Sequence, residues 1–363
     1  MTEIKRIGVL TSGGDCSGLN TAIRAVTFAA VNKGWEVFGI HNATDGLFVR
    51  PMRYQKLTMS DFEFPFATMG GTMLGTNNSG NAHLQERVDG TVEELNDEQL
   101  LQRFKEGVQE LGLSALVVIG GDGSMAIVSR YCQKAGISMI GIPKTIDNDA
   151  PATEMAIGFA TARAVVMDAL DKLDTTAASH HRVMVVEVMG RGAGHLALES
   201  GIAGYADVVL IPEVPYTYEG VRDRLKKSFE NGRKHALVVV AEGIKNPEGR
   251  NSYASNGKTY SGISEYFAER LQKDGFNVRA NILGHIQRAG SPVASDRILA
   301  SRFAVHAVNL LAEGKNNRVV ALKDGHVTDF DLGYVLKVSN SPVDPKSELV
   351  KVAKTLGIYV GEI

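Results

Sequence analysis

Apolar positions in this chain follow two different periods. Short unbroken apolar runs occur at Ile7-Gly8-Val9-Leu10, Ala115-Leu116-Val117-Val118-Ile119, Ile137 to Ile142 and Val183 to Val188. Runs of this length without alternation fit strands buried on both faces of a parallel sheet. Elsewhere apolar residues recur at helical steps. Ala22, Ile23, Val26, Ala29 and Ala30, with Lys33-Gly34 behind them, predict a helix with a basic end and a C-terminal glycine. Leu100, Leu101, Phe104, Val108 and Leu111 predict another, opened by the capping-box spacing of Asn96 and Gln99 and closed by Gly112. Trp35 to Ile40 reads as the second strand of an opening βαβ unit. Three apolar runs end in glycine-rich loops: Ser12-Gly13-Gly14-Asp15, Gly120-Gly121-Asp122-Gly123-Ser124 and Met189-Gly190-Arg191-Gly192-Ala193-Gly194, the last leading into a helix-compatible segment from His195. Repeated strand, loop and helix predict an α/β fold with parallel sheets. The polar, proline-flanked stretch Pro143 to Pro151 predicts a change of domain near residue 150.

Composition narrows the picture. A length of 363 residues suggests roughly two domains at about 150 residues each. The 39 Lys and Arg against 41 Asp and Glu leave a net charge of −2, without the basic field expected of a nucleic-acid binder. The longest apolar stretches, such as Ala236 to Ala241, fall far short of the roughly 20 residues a membrane helix needs. Met1 to Arg6 leads directly into a strand-like run with no apolar signal segment, so cytoplasmic residence is expected. Two cysteines, Cys16 and Cys132, are too few for a disulfide framework. The 39 glycines, about 11% of the chain, exceed the usual 7%.

Glycine at the end of a parallel strand lets backbone N–H groups approach a ligand, and the next helix N-terminus favours anions. Phosphate suits such a place, although tight strand-to-helix turns use glycine too. Neither Gly13-Gly14 nor Gly120-Gly121 continues as a Walker A loop or fits G-x-G-x-x-G. Asp122 would repel phosphate unless a cation intervened, which makes it a candidate Mg²⁺ contact; the alternative is a cap for a helix starting near Met125. Pro143-Lys144-Thr145-Ile146-Asp147-Asn148-Asp149 follows an apolar strand, at the end where catalytic groups gather in such sheets. Asp147 there could take a proton from an attacking alcohol, or the segment could be an Asx-rich turn. Arg191 in the third loop could neutralise a transferring phosphoryl group. Arg279, His285 and Arg288 lie within ten residues of one another, a concentration suited to a phosphorylated substrate. His180-His181 has no matching ligand spacing nearby and receives no metal role.

Taken together, Leu10-Thr11-Ser12-Gly13-Gly14-Asp15, Ile119 to Ser124, Pro143 to Asp149, Val188 to Arg191 and Gly284-His285-Ile286-Gln287-Arg288 resemble the 6-phosphofructokinase family, in the family's order and across most of the chain. The resemblance implies two similar Rossmann-like domains with largely parallel sheets and helices on both faces. The first would be a nucleotide- and Mg-binding domain, residues 1–157 plus 284–335, and the second a fructose 6-phosphate domain, 158–283 plus 336–363. It implies Mg²⁺-dependent phosphoryl transfer to the 1-hydroxyl of fructose 6-phosphate, a glycolytic step. Asp147 matches the family's base, with Thr145 and Ile146 beside it, and Asp122 its metal carboxylate. Gly14 and Gly121, Asp122, Gly123 and Ser124 match its nucleotide loops. Arg182, Met189, Gly190, Arg191, Glu242, Arg279, His285, Ile286, Gln287 and Arg288 match its sugar and phosphate contacts. Arg182 and Arg279 would reach across a subunit interface, in what is usually a homotetramer.

Several positions depart from the family pattern or bear on the donor. Gly123 leaves open the space that a carboxylate would deny a nucleotide's α-phosphate, which favours ATP; Lys144 is typical of pyrophosphate users yet blocks no nucleotide. Pyrophosphate remains the alternative donor, and a catalytically silent sugar-phosphate sensor a more distant reading. Asn78 stands where bacterial ATP enzymes carry a phosphate-contacting arginine, and Ala289 where glycine is usual. Arg24 matches one effector-site arginine, but Phe28 and Asp174 do not match theirs, so effector control is not carried over.

Overall fold

A computed structural model describes residues 5–63, 65–77, 84–86, 92–246, 262–338 and 340–362. The chain divides into two compact units. One comprises Met1–Thr145, Ala150–Gly158 and Arg288–Asn340, the other Ile146–Asp149, Phe159–Gln287 and Ser341–Ile363.

The first unit opens with β1 (Arg6–Ser12), α1 (Leu19–Val31), β2 (Glu36–Ile40), a short α2 (Asp45–Phe48) and β3 (Tyr54–Leu57). A hairpin of β4 (Leu84–Glu86) and β5 (Val92–Glu94) precedes α3 (Asp97–Leu111), β6 (Ala115–Gly120), α4 (Asp122–Ala135), β7 (Ser138–Thr145) and the two-residue β8 (Ile157–Gly158). β1 lies between β2 and β6, parallel to both, with Ile7 opposite Val37 and Ala115. Ile7, Val9 and Leu10 are fully buried and β6 is buried along its whole length, as the unbroken apolar runs require. The capping box forms as the spacing predicts. Asn96 Oδ1 accepts from Gln99 N–H, Gln99 Oε1 from Asn96 N–H, both at 2.9 Å, and Gly112 ends α3 in the left-handed conformation at φ 63°. Phe104 of α3 packs with Phe48 and Tyr131, a burial that stabilises the fold by about 2–3 kcal/mol for that ring.

The structure adjusts three expectations. α4 starts at Asp122 rather than near Met125, because Gly121 is extended and its carbonyl already accepts the first helical bond from Met125 N–H. β7 runs on through Pro143 to Thr145, so the interruption begins later than the proline suggests. The large sheet, ordered β14-β13-β7-β6-β1-β2-β3, is not parallel throughout, since β3 pairs antiparallel with β2 and β14 with β13.

The second unit contains α5 (Phe159–His180), β9 (Val183–Val188), α6 (His195–Ala203), β10 (Val208–Leu210), α7 (Tyr218–Glu230), β11 (Ala236–Ala241), α8 (Ile263–Lys273) and β12 (Val278–Ile282). Its four strands, ordered β10-β11-β9-β12, are all parallel. The chain then returns to the first unit with α9 (Ala294–Ala312), whose Ala300, Ala304 and Ala307 are fully buried. β13 (Arg318–Lys323), β14 (His326–Asp331) and α10 (Leu332–Val335) follow, and α11 (Glu348–Thr355) closes the second unit. Two buried carboxylates organise that unit. Glu187 of β9 accepts from Gly262 N–H, Ser264 N–H and Ser264 Oγ at 3.0 Å, capping α8. Asp207 accepts from Ser228 Oγ and Arg233 Nη1 at 2.9 Å and from Leu237 N–H at 3.2 Å. Among the described residues no helix is long and apolar enough to cross a membrane.

Candidate active site

In the first unit the chain leaves β1 toward β2 on one side and β6 toward β7 on the other. Ligands of doubly wound sheets bind outside the carboxyl ends of strands at such a switch point. The segments there are the loop Gly13 to Asp15 and Gly121 to Ser124, which opens α4, and a Cβ at Gly120 would lie 3.2 Å from Ser12 O, which measures how closely the two strand ends run. Arg288 covers the first loop. Its Nη1 donates to Asp15 O at 3.1 Å, and a Cβ at Gly14 would lie 2.8 Å from the same nitrogen, so a side chain there would push the guanidinium from its present place. Lys144, buried at the end of β7, donates from Nζ to Gly14 O. The ammonium expected to face phosphate therefore helps to hold the loop that would bind it. Asp122 is exposed in the first turn of α4, and a Cβ at Gly123 would meet no atom within 4 Å. Behind the loop Cys16 is fully buried and burial pushes its thiol up to about 12, so it is no nucleophile at neutral pH.

β7 ends at Thr145, and the chain enters the second unit at Ile146–Asp149. Ile146 is buried, Asp147 half-buried, and Asn148 takes the left-handed conformation at φ 54°. The carboxyl ends of β9, β11 and β12 lead into Met189 to Arg191, Glu242 and Gly284 to Gln287 respectively. Arg191 is left-handed at φ 53°, a strained conformation for a side-chain-bearing residue. Two contacts hold it there: its N–H donates to Glu242 Oε1 at 2.9 Å, and Gly243 lies so close that a Cβ would be 1.9 Å from Arg191 O. Gln287 is 1% exposed, its Oε1 accepting from Met189 N–H at 3.1 Å and its Nε2 donating to Gly284 O at 2.9 Å. Gln287 thus joins the loops after β9 and β12, while His285 and Ile286 beside it are exposed.

Arg182 and Arg279 stand apart from these residues. Arg182 precedes β9, and Arg279 pairs with Met184 near the opposite end of that strand from Met189. Met184 and Met189 are five steps of about 3.3 Å apart along the chain, about 17 Å. Gly243 and the internal use of Gln287 and Lys144 were missed by sequence reasoning; Glu242-Gly243 after an apolar run was the available signal for the first. Ala289 is exposed beside Gly290, whose carbonyl would lie 2.5 Å from a Cβ at Gly70. Asn78 lies outside the described residues.

The fold and its loops define a doubly wound α/β protein with glycine-rich turns at the carboxyl ends of its strands. The phosphofructokinase family model matches residues 6–311. A Nostoc sp. protein named ATP-dependent 6-phosphofructokinase 1 is 46% identical over 366 residues, with 100% of both chains covered. A protein of the same name from Synechocystis sp. is 45% identical over 366 residues, with 99% of each covered. The solved phosphofructokinase of Saccharomyces cerevisiae matches 92% of this chain at a TM-score of 0.79 and 28% identity; this chain spans 45% of that longer one. The chain belongs to the phosphofructokinase family.

Proposed function

We propose that this chain is an ATP-dependent 6-phosphofructokinase acting in the cytoplasm, transferring the γ-phosphoryl group of ATP to the 1-hydroxyl of fructose 6-phosphate. The carrying observation is the pair of glycine loops at the β1/β6 switch point, followed in the chain by Thr145-Ile146-Asp147 at the end of β7. Gly14, Gly121, Gly123 and Ser124 cradle the donor phosphates with backbone and hydroxyl groups. The open space at Gly123 supports ATP over pyrophosphate, because a side chain there would project where a nucleotide must lie.

Asp122 offers one exposed carboxylate, and among the described residues no group of three His, Cys, Asp or Glu could hold a metal alone. That donor set fits Mg²⁺ shared with phosphate oxygens, where the ion would offset phosphate charge. Asp147 accepts the proton of the 1-hydroxyl as it attacks, with Thr145 orienting the sugar, and Arg191 offsets negative charge on the transferring group. Met189, Gly190, Glu242, His285, Ile286 and Arg288 bind fructose 6-phosphate, with Gln287 positioning the backbone they share. Arg182 and Arg279, distant from Arg191 within one chain, serve the site of a neighbouring copy in a homotetramer. A base of this kind contributes roughly 10²- to 10⁴-fold. Asp147→Asn should therefore lower kcat by at least about 100-fold while fructose 6-phosphate binding persists. Near-normal turnover in that variant would remove Asp147 from this role.

A further inference from the structure

The first glycine loop is held by a segment that the catalytic roles leave unused. Gly13, at φ 87°, donates its N–H to Asn77 O at 3.1 Å and accepts at its carbonyl from Thr76 Oγ1 at 2.6 Å. Both backbone groups of the loop's leading residue are thus fixed by residues more than sixty positions away. That segment is itself fastened to the turn after β2. Asn42 N–H donates to Leu74 O at 2.8 Å, and Asn77 Nδ2 donates to Asp45 Oδ2 at 2.6 Å. Thr11 Oγ1, at the end of β1, donates to Gly75 O at 2.6 Å, closing the arrangement from the other side. Asp45 touches no glycine of the loop in these contacts and acts through Asn77. A short hydrogen bond to a carboxylate is about twice as strong as a neutral one, and here it is shielded. Burial pushes the Asp45 carboxyl up, and the Asn77 amide opposes that rise.

From these contacts we infer that Asp45 and Asn77 are positioning residues for the phosphoryl donor: the carboxylate fixes the Asn77 side chain, and the Asn77 carbonyl sets the Gly13 N–H and hence the path of Gly13-Gly14. The inference rests on reading that loop as the donor loop. A loop held in its bound path binds without a further ordering cost, so loosening it weakens donor affinity and leaves the sugar phosphate site unaffected.

The test combines Asp45→Ala, Asn77→Ala, their double variant and Asp45→Asn in the full chain. Losing a hydrogen bond to a charged group should raise KM for Mg-ATP roughly tenfold in each single alanine variant. The KM for fructose 6-phosphate should stay at the wild-type value. The double variant should be no worse than either single one, because both break the same link. Asp45→Asn keeps an acceptor oxygen and should restore most of the affinity. Amide exchange in the Thr11 to Asp15 peptide should accelerate in both alanine variants, a readout that does not require turnover. Should Asp45→Ala fail to fold, Asn77→Ala carries the same measurements alone. An unchanged KM for ATP in folded variants, additive effects in the double variant, or unchanged exchange at Thr11 to Asp15 would each overturn the inference. Absence of turnover in the wild-type protein would count against the proposed function instead, and the exchange result would still decide this one.

Discussion

Gly243→Ala is the sharpest perturbation the structure offers, because it changes one methyl group and touches Arg191 through its backbone. That methyl would lie 1.9 Å from Arg191 O and 3.0 Å from its carbonyl carbon. Carbon-to-oxygen contacts settle at about 3.3 Å, so the Arg191 carbonyl must retreat by about 1.4 Å. The residue cannot absorb this by local rotation alone, since it is already left-handed and its N–H is bonded to Glu242 Oε1. The guanidinium, proposed above to offset phosphoryl charge, moves with its backbone. A displacement of about 1 Å can cost 10²-fold in rate, and a loss of that order in kcat is the expected result. Steady-state kinetics of the folded variant measure it, with thermal unfolding followed in parallel. Gly192→Ala provides the comparison for stability, because a Cβ there would meet nothing within 4 Å and the midpoint of unfolding should not move. If Gly243→Ala folds and keeps kcat within a factor of about three, Gly243 does not secure the position of Arg191 and the account of this loop is wrong.

Three further outcomes are expected. Asp207→Asn removes the charge of a fully buried carboxylate that serves Arg233, Ser228 and Leu237 N–H; it should destabilise the protein by about 3 kcal/mol in chemical denaturation, the low end for a broken buried pair because the guanidinium still reaches water. Burial alone would raise the Asp329 carboxyl, but the Arg318 hydrogen bond and nearby cations hold it below its ordinary 3.8. Its stabilisation is therefore present above that value and lost as pH falls through the folded value, so Asp329→Asn should lose less stability than wild type on acidification below about pH 4. Gly123→Asp, placing a carboxylate in open space, should raise KM for ATP by roughly tenfold or more through like-charge repulsion, with little change for fructose 6-phosphate.

Much of the fold is written locally. The βαβ opening, the Asn96/Gln99 cap and the three strand-end loops each depend on neighbouring residues, so a pattern a few positions long specifies them. The antiparallel edge β3 pairs back onto β2 across thirteen intervening residues, which no local period encodes, whereas β14 follows β13 through the two-residue Asp324-Gly325 turn, a local hairpin signal. α4 starts before Met125, where the sequence pattern predicts it, because Gly121, a poor helix former, serves as its N-cap. The candidate site divides in the same way. Residue types that suit phosphate chemistry were visible at Asp122, Asp147 and Arg191. Which polar groups are spent inside the protein was not. Lys144 looks like a ligand in sequence yet bonds Gly14 O, and Gln287 lies in a segment expected to bind sugar yet bonds Met189 N–H. Asp45 and Asn77 are 32 positions apart, and nothing in either neighbourhood announces the other.

The central claim is the reaction itself, and one experiment reaches it most directly. Purified protein is given fructose 6-phosphate and Mg²⁺ with either ATP or pyrophosphate, and the sugar product is identified by phosphorus NMR. The account predicts fructose 1,6-bisphosphate with ATP and little or none with pyrophosphate. Turnover with pyrophosphate alone would overturn the donor assignment, and tight fructose 6-phosphate binding without turnover from either donor would contradict the catalytic reading altogether.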